Sequence, residues 1–258
     1  MKREHTPDWF LLSEELNPSI FERLSRAVAS TSVDISTKFL PESAFWFLCD
    51  SLLIANRANR DGMHANSLAI TRSCVEAITI IELGLIGTTE AQALLLEWSQ
   101  DKKTPGQLRA WLEKNAWPRY GAGLWCESWA EFYGGFARSI QPFSHYSGLL
   151  SQWQHRLRMF KRKDEGGEAI LEFRPRAYDP QKATRITLFH GIISFVLGRI
   201  LSVNVDPEDG QFREQVERLR LALGESPYLD GHATDWPQQF WAMMWFGDSP
   251  SPVDHKSN

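Results

Sequence analysis

Apolar residues recur at intervals of three and four along most of this chain, the spacing of one helix face. The pattern predicts helices near residues 18–30, 42–59, 63–86, 90–101, 105–115, 124–157, 180–203 and 207–223, with a short one over 236–246 closing the fold. Asn17-Pro18, Thr104-Pro105, Asp179-Pro180 and Asp206-Pro207 each set a capping side chain before a proline suited to the first helical position. Gln107 in "TPGQ" and Gln92 in "TEAQ" stand where a capping box places its reciprocal acceptor.

One segment departs from this spacing. "RMFKRKDEGGEAILEFRP" has two short runs around Asp164-Glu165-Gly166-Gly167, with apolar alternation at Ala169, Leu171 and Phe173, the signature of a β-hairpin. The reading is therefore a single all-α domain, a helical bundle with a small β-hairpin insertion at about 158–176 and a frayed tail from 248. Its core is expected from helices 42–59, 63–86, 124–157 and 180–203.

Composition narrows the function classes. A hydrophobic share of 43% and 11 Trp can fill a sizeable core, so a disordered chain is excluded. A net charge of −4 gives no global attraction for nucleic acid, so RNA contact would need a local basic patch. Residues 155–176 supply seven Lys and Arg diluted by four acids. That stretch is either a solvated hairpin or a phosphate-contact surface, with Arg162 and Lys163 as candidates. Cys49, Cys74 and Cys126 form no CxxC pair, which argues against a zinc ribbon and for buried, inert thiols in a reducing cytoplasm. "MKREHTPDWF" lacks a secretory core, and runs such as "AITIIELGLIG" are too short to span a bilayer, so a cytoplasmic chain without a membrane partner is expected. No HExxH, P-loop or GxGxxG occurs, and no cofactor or metal is implied.

Two constellations could carry chemistry. In "MHANSLAITRSCVEAITIIELGL", Arg72 and Glu76 are four apart on a partly apolar stripe, where their side chains meet. The pair is either a structural clasp or a guanidinium held toward an anionic ligand. In "FARSIQPFSHYSG", the seam Trp129, Phe132, Phe136, Ile140, Phe143 leaves Arg138 and His145 pointing away from the core. Seven residues apart, they would share one helix face, with Pro142 bending the helix between them. His190, in "RITLFHGIISFVLGR", reads as a satisfied core residue. Trp241, Met244 and Trp245 in "WPQQFWAMMWF" read as a helix docking onto the bundle.

Arg138-x6-His145 resembles the Arg-x4–6-His signature of the HEPN superfamily, over roughly residues 42–157. Arg57 and His64 in "RANRDGMH" fit the same spacing. Ser139 follows Arg138 where many members carry Asn, His or Asp. The resemblance implies a small helical bundle that dimerises, acts on RNA, and serves in bacterial defence or toxin–antitoxin systems as a metal-independent ribonuclease. It implies His145 as general base or acid and Arg138 as the group that stabilises phosphate charge while a ribose 2′-hydroxyl attacks. The alternative from the residues is a non-enzymatic helical scaffold or ligand-binding module.

Overall fold

Two helices in this chain are apolar almost all the way round, and a helix of that kind is stable only inside a protein. They are α3 (His64–Ile86) and α8 (Pro180–Asn204), and both are buried along most of their length. The computed structural model describes residues 6–30, 37, 39–163, 166–173, 176–226 and 229, with the backbone alone over 156–163 and 166–171. Around the central pair stand α1 (Asp8–Ser30), α2 (Phe39–Arg60), α4 (Thr89–Ser99), α5 (Pro105–Asn115), α6 (Trp129–Ile140), α7 (Gly148–Gln152) and α9 (Gly210–Gly224). The architecture is all-α, a bundle carrying one two-stranded antiparallel hairpin, β1 (His155–Lys163) and β2 (Gly166–Phe173). The hairpin falls where the alternation at Ala169, Leu171 and Phe173 placed it, with a register shift between Leu157 and Met159.

α2 and α3 form an antiparallel pair. Gly62 turns the corner at φ +75°, and a Cβ there would stand 2.8 Å from the backbone of Arg176 and Ala177, so only glycine fits. At the other end Gly84 admits the Pro41 ring, which a side chain would exclude. Ser67 Oγ donates to the Ala55 carbonyl at 2.7 Å between them. The His64 ring ties this corner to α8: Nδ1 pairs with Asn59 Oδ1 at 2.8 Å, Nε2 accepts from the Asp179 N–H, and Asn59 Nδ2 donates to the Ala183 carbonyl. Asp179 caps α8 and Thr104 opens α5 with a complete capping box.

Several expected boundaries move, each for a tertiary reason. Pro18 lies inside α1, not at a helix start, because Trp9, Leu16, Ile20, Leu24 and Val28 bury one continuous seam through it. That burial outweighs the ~3 kcal/mol of an interior proline. Asn17 is no cap: its Oδ1 accepts from Ser194 on α8. Asp206 does not start α9 either; Asp209 does, and both carboxylates clasp Arg23 of α1, at 2.5 and 2.7 Å. Thr88, not Thr89, caps α4, and Gln92 donates to the Gly87 carbonyl in place of completing a box.

The largest correction concerns residues 124–157, read as one helix. α6 ends at Ile140, a 3-10 turn covers Gln141–Phe143, and α7 is a separate five-residue helix. The bound on apolar length is corrected too: α8, with 25 residues, is long and apolar enough to cross a membrane, though 78% of its most apolar window is buried inside the bundle. Cys74 is buried and Cys49 partly so, whereas Cys126 is exposed, against the expectation of three buried thiols. The proposed helix 236–246 and the tail lie outside the described residues.

Candidate functional site

The predicted pair on α3 forms. Arg72 Nη2 donates to Glu76 Oε1 at 2.9 Å, with the Arg72 side chain 6% exposed and Glu76 47% exposed. A buried guanidinium needs more than one acceptor, and the helix break supplies it. Gln141, first residue after α6, presents Oε1 to Arg72 Nε at 3.1 Å and to Nη2 at 2.5 Å. Nη1 is buried without a hydrogen bond. Nothing in the sequence signalled Gln141, because a continuous helix would not bring it to α3 in this way.

Glu76 opens onto a cleft of about 430 Å³ between α2, α3, α4 and α5. Phe47, Ile80, Trp98 and Leu108 line it, with Ser73 and Glu76 among the few polar contributors. Oε1 of Glu76 is held by Arg72, and Oε2 has no hydrogen-bond partner among the described residues. A volume within the ~300–1,000 Å³ of small-molecule sites, mostly apolar with a fixed polar group, suits recognition of an apolar body with one oriented head. Sequence pattern missed the cleft because its walls come from four elements, with α2 and α3 supplying most of the lining and α4 and α5 closing it through Trp98, Pro105 and Leu108.

Arg138 and His145 stand differently from the shared helix face expected of them. Arg138 is exposed on the last turn of α6, and its Nη1 lies 3.3 Å from where a Cβ on Gly134 would stand, so the guanidinium leans one turn toward the helix start. His145 is exposed beyond the 3-10 turn, where the 100° per residue rule no longer relates it to Arg138. The Arg138 carbonyl, which Pro142 cannot serve, accepts from the Gln141 N–H. Neither residue lines the cleft. Ser139 is buried, donating to the Phe136 carbonyl.

The second Arg-x6-His match separates by environment. Arg57 is exposed, while His64 is buried with both ring nitrogens occupied, and burial holds its imidazole down at about 4. It is a neutral structural bond. His190 is engaged at both nitrogens, by Thr71 Oγ1 and Asn56 Oδ1, each at 2.9 Å, as a satisfied packing histidine should be. Arg162 and Lys163 sit on β1 next to the hairpin turn; their side chains lie outside the described residues.

A further ionisable group went unread in "IIELGL". Glu82 is fully buried; Trp117 Nε1 donates to its Oε1 at 3.0 Å, and Tyr120, itself accepting from Asn204, faces the same carboxylate. Burial raises the carboxyl to about 7, against these donors, which pull it down. Among the described residues no group of three or more His, Cys, Asp or Glu is arranged to hold a metal. No protein-family model matches the chain, and no curated protein or solved structure is significantly similar to it.

Proposed function

We propose that this chain is a non-enzymatic helical binding module whose site is the cleft between α2, α3, α4 and α5. One observation carries the reading: a largely apolar cleft of about 430 Å³ with a carboxylate, Glu76, fixed at its wall by a buried arginine. The ligand class that fits is an apolar body bearing an N–H or ammonium donor. The donor meets Glu76 Oε2, the body packs on Phe47 and Trp98, and an ammonium gains further from the aromatic faces. Calorimetric titration with a medium-chain alkylammonium, and with the alkyl carboxylate of equal length, tests this. The ammonium compound should bind, and Glu76→Gln should weaken it by about tenfold. Equal binding of both compounds, or of neither, defeats the reading.

A second reading, a HEPN-like metal-independent ribonuclease of bacterial defence acting on RNA, is favoured by a separate observation. Arg138 and His145 both reach solvent with no hydrogen bond or ion pair among the described residues. In it His145 transfers protons at the ribose 2′-hydroxyl and Arg138 neutralises the phosphate. Purified protein is incubated with total RNA beside His145→Ala. Cleavage lost with the imidazole supports the assignment; equal cleavage by both removes His145 as catalyst.

A further inference from the structure

α2 turns an apolar row away from the bundle. Phe39, Trp46, Phe47, Leu53 and Ile54 are 51–62% exposed, five of the eleven large apolar side chains exposed among the described residues. Scattered exposed apolar groups are ordinary, but a contiguous row along one helix marks a contact surface. At 100° per residue, Trp46 and Leu53 run along one edge of the face and Phe47 and Ile54 along the other. Between the two edges, on the midline, lie Asp50 and Arg57, two turns apart. Both are exposed, and neither has an ion-pair partner among the described residues.

An acid and a base two turns apart on the midline of an apolar face are self-complementary in one orientation. We propose that this face joins two copies of the chain, their α2 helices antiparallel about a two-fold axis passing between Leu53 and Ile54. In that register Asp50 of each copy meets Arg57 of the other on the midline, while Leu53 packs on Leu53 along one edge and Ile54 on Ile54 along the other. Trp46 and Phe47 reach the level of Arg60 and Asp61 of the second copy, where a guanidinium can lie over an aromatic ring. A parallel arrangement in register would set Asp50 against Asp50 and Arg57 against Arg57, which is repulsive. Half of a large apolar side chain is roughly 100 Å², so Trp46, Phe47, Leu53 and Ile54 of the two copies bury about 800 Å² in all, with Phe39 level with a point past the end of the other α2 and outside the contact. That is smaller than a standard specific interface, and the dimer is accordingly weak and reversible, dissociating in the micromolar range. The inference needs neither the ligand reading nor the ribonuclease reading: Phe47 borders the cleft as well as this face, but Asp50, Leu53 and Arg57, whose variants test the dimer, do not line the cleft.

Sedimentation equilibrium of the full chain across the micromolar range is the test. The expected mass approaches twice the 29.6 kDa of one chain as concentration rises. Leu53→Glu should weaken the dimer by about tenfold or more, with circular dichroism showing an unchanged helix content because the site is exposed. Asp50→Arg and Arg57→Asp should each weaken it on the order of tenfold, and the double variant Asp50→Arg/Arg57→Asp should restore it. A monomer at every concentration overturns the proposal, as does a dimer indifferent to Leu53→Glu. Failure of the double variant to recover overturns the antiparallel register.

Discussion

Arg72 and Gln141 stand 69 residues apart in the chain, yet Nη2 of the one lies 2.5 Å from Oε1 of the other. The contact joins the buried face of α3 to the point where α6 stops. It also fixes the direction from which Arg72 holds Glu76 at the cleft wall. A guanidinium that is 6% exposed is stable only while both acceptors stay in place.

Removing one of these acceptors separates structural from surface roles. Glu76→Ala should destabilise the fold by about 2 kcal/mol, less than a fully buried pair costs because the carboxylate is half in water. His145→Ala should change stability by less than about 0.5 kcal/mol, as exposed substitutions do. Urea denaturation of the two variants beside wild type measures both. Matching midpoints for Glu76→Ala and wild type would contradict the clasp.

Glu82 gives stability a particular pH dependence. Burial raises its folded-state carboxyl from the ordinary 4.5 to about 7, so the native state holds the proton more tightly. Its contribution is complete below pH ~4.5 and falls as pH rises toward ~7, by ~3 kcal/mol in all. Glu82→Gln keeps the shape and removes the titration. Its stability should lose this decline between mildly acidic and neutral pH, as thermal melts across that range will show.

His64 acts in the opposite sense. Burial lowers its imidazole from 6.5 to about 4, so the unfolded chain binds the proton first and stability falls as pH drops below ~6.5. In the wild type this loss is offset in part by the gain at Glu82. Acid unfolding should therefore be steeper in Glu82→Gln than in wild type. It should be shallower when His64→Gln is added, even though that side chain costs native stability at neutral pH.

The thiols should react in an order set by exposure and burial. Cys126 is exposed, whereas burial, first, and then Asp50 raise Cys49 to about 11, and burial raises Cys74 to about 12. The thiolate is the nucleophile, so a maleimide or disulfide reagent at neutral pH should modify one thiol per native chain rapidly. Cys126→Ser should abolish that fast phase. Persistence of it would place the accessible thiol elsewhere.

Much of the fold was readable because the signals were local. The spacing of three and four located α3, α5 and α8 to within a residue or two, Asp179 and Thr104 cap where a proline follows them, and alternation exposed the hairpin. Errors arose where a distant partner outweighed a neighbour. Asn17 and Asp206 have the makings of caps, but Ser194 and Arg23 compete for their oxygens and win, because a buried or multidentate bond contributes more than a solvated cap. The Arg72–Glu76 pair was legible from its spacing on one helix; Gln141, Trp98 and Phe47 were not, since no sequence period links them.

What the sequence alone determined is the class of fold and the location of its polar exceptions: helix period, caps and turn residues act over a few positions and leave a direct trace in the chain. Tertiary structure decided which of those exceptions matter. It ended the sixth helix at Ile140, turned Arg138 back toward Gly134, sealed His64 into a structural bond, and left Glu76 facing a cleft and α2 facing water. These outcomes depend on desolvation and on which distant surfaces fill the space around each group, and neither quantity is a property of a short stretch of chain.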